Sequence, residues 1–142
     1  MKKIYLVLIN LVLFIVSLSG CTQNYHYDFE KLVGSVEQIY IVEVERTKYY
    51  GDISIDYLME IEEDFDNFLN EVTTLEFKSS IGLSPKNNTG LSIMLVCNNE
   101  KYDYVIIGLR GIEEFKNNKQ TYLYNAMCNK KDFYDIINKY YK

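Results

Sequence analysis

An apolar run near the N-terminus limits what the rest of this chain can fold into. Lys2 and Lys3 precede it, and Ile4 to Val16 contain 13 residues interrupted only by a tyrosine and an asparagine. A bilayer-spanning helix needs about 20 apolar residues, so this run is too short for a permanent span but suits the apolar region of a signal peptide. We therefore expect residues 1–20 to be a removable export signal.

Small residues follow the apolar run and lead to a cysteine. Leu18-Ser19-Gly20-Cys21 resembles the lipobox of bacterial lipoproteins, in which a branched apolar residue and two small residues precede the modified cysteine. The resemblance implies that a diacylglycerol is transferred to the Cys21 thiol and that cleavage falls between Gly20 and Cys21. The protein would then be lipid-anchored at the extracytoplasmic face of the cell membrane, where two acyl chains hold stably. The alternative is a buried N-terminal helix with an incidental cysteine.

Removal of the signal leaves 122 residues, a length that suits one domain with one core. The removed segment carries two lysines and no acid, so the net charge changes from −5 to −7. Because such an acidic chain repels nucleic-acid phosphates, we exclude nucleic acid as a partner. Residues 21–35 lack a clear hydrophobic period and are expected to be the lipidated N-terminus and linker, with the domain at 36–142.

Hydrophobic periodicity predicts a strand followed by a helix at the start of the domain. Val36 to Arg46 alternates, with two isoleucines on one side and a tyrosine and two valines on the other, which indicates a strand partly covered on both faces. Tyr50-Gly51-Asp52 suggests a turn. From Leu58 to Val72, apolar residues recur every three or four positions, which predicts a helix that Asp56 caps.

The second half of the chain has the pattern of an antiparallel meander. Thr73 to Ser79 is rich in β-forming residues, and Gly82 to Gly90 contains the only proline and is predicted to be a loop. Leu91 to Cys97 and Tyr102 to Gly108 flank a short polar turn, which predicts a β-hairpin. Two further strands and a closing helix are expected; they are Ile112 to Phe115, Gln120 to Met127, and a helix that Asn129 caps with Phe133 to Tyr141 on its apolar face.

This order favours an α+β fold in which an antiparallel sheet of about five or six strands carries two helices on one face. The chain is similar to small lipoproteins of low-GC Gram-positive bacteria that have one α+β domain of unknown function, a resemblance that implies no activity. The matching features are the lipobox at Cys21, the strand Ile39 to Val44, the helix Leu58 to Val72, the hairpin Leu91 to Gly108 and the closing helix Phe133 to Tyr141.

Two cysteines remain once Cys21 carries the lipid. Cys97 and Cys128 would lie in an oxidising compartment, where a disulfide is allowed, but both flank apolar strand-like runs in which a free cysteine behaves as a small buried hydrophobe. Both alternatives stay open. The chain contains no CxxC pair, and its only histidine, His26, lies in the expected linker, so we expect neither a metal nor a cofactor.

The same histidine argues against catalysis. A nucleophile activated by histidine needs that side chain beside it in the fold, and His26 falls outside the expected domain. The pair Glu60 and Asp64 has the spacing of one helical turn, but a solvated acidic face explains it more simply. We therefore expect no catalytic residues and a protein that is not an enzyme.

Candidate contact residues are one arginine and two tyrosine pairs. Arg110 stands between two glycines at a predicted strand end and is suited either to dock a carboxylate or to form a surface ion pair. Tyr102 with Tyr104, and Tyr122 with Tyr124, are two apart, so on a strand each pair would share a face. Exposed, these faces would form an aromatic protein interface; buried, they would be ordinary packing.

These features favour a non-enzymatic protein-binding module of the inhibitor or immunity type, with an unidentified protein partner. The alternatives are an accessory subunit of an envelope complex and a small-ligand-binding lipoprotein. An exposed surface of tyrosines and acids would favour protein binding, whereas a deep pocket around Arg110 would favour a small ligand.

Overall fold

The structure, a computed structural model, describes residues 27–46, 53–79 and 87–141. Eight strands and three helices occur in these ranges. In chain order they are α1 (Phe29–Val33), β1 (Val36–Arg46), β2 (Ile53–Glu60), α2 (Phe65–Thr73), β3 (Phe77–Ser79), β4 (Gly90–Cys97), β5 (Tyr104–Gly108), β6 (Gly111–Lys116), β7 (Lys119–Tyr124), β8 (Ala126–Cys128) and α3 (Lys130–Tyr140). The predicted turn at residues 50–52 and most of the predicted loop at 82–90 lie outside the described residues.

Six strands form one antiparallel sheet in the order β2-β1-β4-β5-β6-β7, and β3 and β8 form a small second sheet. The main core lies on one face of the large sheet, where all three helices contribute buried side chains, among them Leu32, Phe68 and Phe133. The predicted α+β fold, with an antiparallel sheet and helices on one face, is therefore confirmed.

Strand β1 has the predicted bounds and alternates between two buried environments. Ile39 and Ile41 belong to the main core, whereas Val42 and Val44 belong to a second cluster on the opposite face, which also contains Phe115. The predicted hairpin is confirmed as β4 and β5. Asn129 caps α3, because its side chain accepts hydrogen bonds from the N–H groups of Lys131 and Asp132 in the first turn.

The predicted helix from Leu58 to Val72 is wrong in its first half. Residues 53–60 form β2, which pairs with β1, and α2 begins only at Phe65, so Asp56 lies within a strand and caps no helix. The physical reason is that residues 53–57 alternate strictly between apolar and polar types, and this period of two matches a half-buried edge strand. The second half of the helix, with Phe68, Leu69 and Val72 buried, is confirmed.

Two other predicted boundaries also change. The predicted strand from Gln120 to Met127 breaks at Asn125, because residues 126–128 leave the large sheet and pair with β3 instead. The described part of the expected linker is folded from Tyr27 onward, since α1 buries Leu32 completely in the main core. Of the expected linker at 21–35, residues 21–26 lie outside the described residues.

Candidate functional site

The predicted lipid attachment at Cys21 and the cleavage position at Gly20 lie outside the described residues. The other two cysteines, Cys97 and Cys128, are buried, free thiols in the structure, and the disulfide between them stays a prediction. Cys97 ends β4 and donates a hydrogen bond to Leu95 O at 3.4 Å, whereas Cys128 ends β8 in the other sheet and donates to Asn129 O at 3.7 Å. Burial raises the pKa of each thiol to about 11.

The tyrosines Tyr102 and Tyr104 do not share a face. Tyr102 precedes β5 in an irregular turn and packs into the main core, whereas Tyr104 stacks on Phe115 in the second cluster with 4.9 Å between ring centroids. The strand alternation that the prediction assumed begins only at residue 104, because Asn99 Oδ1 holds the preceding turn through the N–H groups of Lys101 and Tyr102.

The tyrosines of the second predicted pair, Tyr122 and Tyr124, differ in burial. Tyr124 is buried in the main core, 6.1 Å from the ring of Tyr27 and 6.3 Å from that of Phe77, whereas Tyr122 on the same edge strand is 49% exposed. The predicted tyrosine surface therefore does not exist as one surface; most of these rings pack in the interior.

Arg110 is exposed in the turn between β5 and β6, and its backbone N–H donates to Asn88 Oδ1. The other arginine, Arg46, has the more defined surroundings. Its guanidinium pairs with the fully buried carboxylate of Glu113 and donates through Nε to Asn88 O at 2.9 Å. Desolvation raises the pKa of Glu113, against the opposing effects of its Asn88 hydrogen bonds and the Arg46 charge.

Asn88 is the centre of this buried polar network. Its N–H donates to Glu113 Oε2 at 2.8 Å and its Nδ2 donates to Gly111 O at 2.9 Å. A Cβ on Gly108 would approach Asn88 Oδ1 to 2.4 Å, so the missing side chain makes room for the amide. Because the polar groups of Asn88 are engaged within the protein, the network is suited to hold the end of the sheet together and presents none of them to a ligand.

A different surface, at the edge strand β2, combines exposed apolar groups. Tyr57 is 62% exposed and Leu58 40% exposed, and the half-buried ring of Tyr40 meets that of Tyr57 edge-on at 5.1 Å. We call these three residues the β2 patch. A bulge produces it: Ile41 pairs with Met59 and Val42 with Tyr57, which leaves Leu58 without a partner on β1. Bulges of this kind redirect side chains at sheet edges.

Acidic groups border the β2 patch. Burial and the neighbouring carboxylate of Glu60 raise the pKa of Tyr40. Beyond Glu60 the chain passes along an open cleft of about 450 Å³ between the end of β2 and the end of α3. Four acidic residues, Glu60, Glu62, Glu63 and Asp64, line this acidic cleft together with Met59, Ile61, Lys139 and Tyr140.

Lys139 does not neutralise the acidic cleft fully, because its ammonium pairs with Glu71 on α2 and lies 5.2 Å from the Tyr140 ring centroid. Within the described ranges, no group of three or more histidine, cysteine or acidic side chains is placed to hold a metal ion. The charge of the acidic cleft is complementary to that of cationic side chains.

Sequence reasoning missed the β2 patch because it assigned residues 58–61 to a helix. One signal was available: Ile53, Ile55 and Tyr57 alternate with polar residues, which indicates a strand with one solvated face. The bulge at Leu58 depends on pairing with β1 and has no such signal.

No helix in the described part of the chain is long and apolar enough to cross a bilayer. Comparison of the chain with protein-family models, with curated proteins and with solved structures returned no match.

Proposed function

We propose that this protein is a lipid-anchored, extracytoplasmic, non-enzymatic binding module that holds a protein partner at its β2 patch, in the manner of an inhibitor or immunity protein. The observation that carries the proposal is the joint exposure of Tyr57 and Leu58 beside the acidic cleft. Tyrosines are enriched where proteins bind each other, since the ring buries a large area and loses little conformational freedom.

The position of the β2 patch in the sheet supports display to a partner. Tyr27 lies six residues after Cys21, at most about 21 Å of extended chain, and its hydroxyl donates to Glu114 on β6 at 2.7 Å. Four strand spacings separate β6 from β2, which is about 19 Å along the sheet. Tyr27, the first described residue after Cys21, is therefore held near β6, whereas the β2 patch lies at the far edge of the sheet.

The test places a photo-crosslinking residue at position 57 of the membrane-anchored protein. Position 122 is the matched control, because Tyr122 is also an exposed tyrosine on an edge strand but lies at the opposite edge of the sheet. We expect one stoichiometric protein adduct from position 57 and none from position 122. Equal labelling from both positions, or none from either, would overturn the proposal.

The identity of the captured protein separates the two protein-binding alternatives. A soluble secreted or incoming enzyme, inhibited on binding, supports the inhibitor or immunity role. An integral membrane protein that loses assembly or activity without this chain would replace that role with the accessory-subunit role. In both cases Tyr57→Ser should weaken the interaction, and Tyr122→Ser should not.

A further inference from the structure

We infer that the partner presents an extended segment rich in lysine or arginine, which adds as an antiparallel strand to the free edge of β2 and places a cationic side chain in the acidic cleft. This inference rests on the proposed function and specifies its partner. It combines three features of one region: a strand edge that pairs with none of the described residues, the β2 patch and the acidic cleft.

The edge of β2 offers a backbone template. In the described part of the chain β2 pairs with β1 alone, so its other side carries unpaired N–H and C=O groups at alternate residues. The pairing with β1 is regular from Ile53 to Tyr57 and shifts only at the bulge. Such an edge binds extended peptides through main-chain hydrogen bonds, and adjacent side-chain sites supply specificity.

Charge decides between the strands that could pair there. Asp56 and Glu60 are exposed on β2, and Glu62 follows them. Antiparallel pairing with β2 of a second copy would bring these acidic strands together, and like charges that face each other across a strand pair destabilise it. A strand carrying lysine or arginine gains from the same charges, so the edge disfavours self-pairing and favours a basic partner.

The position of the acidic cleft determines which end of an antiparallel added strand carries the cationic side chain. The acidic cleft lies at the C-terminal end of β2, where Glu60 is followed by the acidic residues that lead into α2. An antiparallel strand therefore places its N-terminal residues at the acidic cleft. The Tyr57 and Leu58 side chains then lie beside the middle of the segment, where apolar residues would contact them.

The test measures binding of a fluorescent ten-residue peptide to the full chain purified in detergent. The peptide has lysines at its N-terminal positions followed by alternating valine and threonine. Two further peptides carry backbone N-methyl groups on alternate amides, one on the odd set and one on the even set. Strand addition uses only one set, so we expect one methylated peptide to lose at least about tenfold in affinity and the other to bind normally.

Charge and direction are tested with matched variants. Glu60→Gln combined with Glu62→Gln should lower the affinity for the lysine peptide by about tenfold and reduce the salt dependence of binding. Glu100 is an exposed acid in the β4–β5 turn, so Glu100→Gln should change neither quantity. A peptide with its lysines moved to the C-terminal end should bind more weakly, and one with glutamate in their place should not bind.

Equal binding by both methylated peptides would overturn strand addition and indicate plain electrostatic attraction. Equal binding by the glutamate peptide would overturn the basic partner. A dimer in sedimentation that Asp56→Lys abolishes would identify a second copy as the occupant of the edge and also overturn the inference. The first two outcomes leave the proposed function standing, because crosslinking at position 57, compared with position 122, tests that function separately.

Discussion

Arg46 on β1 and Glu113 on β6 form an ion pair inside the protein, although β4 and β5 lie between their strands. The side chain of Glu113 is fully buried and that of Arg46 is 11% exposed. Removal of one partner from a buried pair leaves an uncompensated charge. The pair therefore connects two distant strands of the sheet, and the conformation of the residue 87–90 segment depends on it through Asn88.

Arg46→Met should destabilise the protein by about 3 kcal/mol, because Glu113 would remain buried without its counter-charge. The double variant Arg46→Met with Glu113→Leu should lose less unfolding free energy than the two single variants lose in sum. Urea unfolding of a soluble form that begins at residue 22 measures this. Lys116→Met is the control, since the Lys116–Asp103 pair is partly exposed and should contribute below about 1 kcal/mol. Equal costs for Arg46→Met and Lys116→Met would contradict the assignment of a buried network.

Gly111→Ala should destabilise the fold by more than about 2 kcal/mol. Gly111 has φ +143°, and a Cβ there would lie 2.1 Å from the backbone oxygen of Tyr124, which cannot move without disturbing β7. Gly34→Ala is the matched control, because Gly34 is right-handed helical and has nothing within 4 Å of the added carbon. Thermal unfolding followed by circular dichroism compares the two; similar melting temperatures would contradict the close approach.

Glu71 connects α2 to α3 and makes part of the stability pH-dependent. The Lys139 ammonium and then the Tyr140 hydroxyl hold the pKa of Glu71 below its ordinary 4.5. A carboxyl with a lowered folded pKa stabilises the fold above the unfolded value and loses that effect as the pH falls through the folded value. At pH 7 the free energy of unfolding of the native protein should exceed that of Glu71→Gln by about 0.5 kcal/mol. This difference should vanish on acidification. A difference that does not change with pH would contradict the helix contact.

The buried thiols should stay reduced and protected. Burial raises the pKa of Cys97 and Cys128 to about 11, so little thiolate forms at pH 8. Alkylation at pH 8 without reductant, followed by peptide mapping, should leave both cysteines unmodified in the native protein and modify both in denaturant. A linked peptide containing both cysteines would show that the disulfide forms after all.

Cys21→Ala tests the anchor. The substitution removes the thiol that a diacylglycerol would modify, so we expect loss of fatty-acid labelling and an uncleaved signal. Cys97→Ala is the control and should leave labelling intact. Labelling that persists in Cys21→Ala would end the lipoprotein assignment and, with it, the membrane display on which the proposed function depends.

Local patterns predicted those elements whose neighbours in sequence are also their neighbours in space. The β4–β5 hairpin and the Asn129 cap of α3 depend on residues a few positions apart, and both are confirmed. The region around Leu58 failed because two periods overlap there. Its apolar residues fit a helix when read forward to Val72, and residues 53–57 fit a strand when read alone. Pairing with β1 decided between them.

Local sequence patterns did not predict the β2 patch, for a related reason. Tyr102, Tyr104, Tyr122 and Tyr124 were selected by spacing, but spacing alone does not say which strand carries the helices on its face or which strand ends the sheet. Tyr57 and Leu58 are exposed because β2 lies at the edge and because one residue bulges out of register. Both facts belong to the sheet as a whole.

The sequence by itself determined the α+β class, the alternation of β1 between two faces and the acidic character of the chain, because these depend on residue type and local period. Tertiary structure alone decided the free thiols, the buried Arg46–Glu113 pair and the β2 patch. Each of these depends on the distance between residues far apart in the chain, or on whether another strand covers a side chain, and such distances arise only when the strands pair and the core packs.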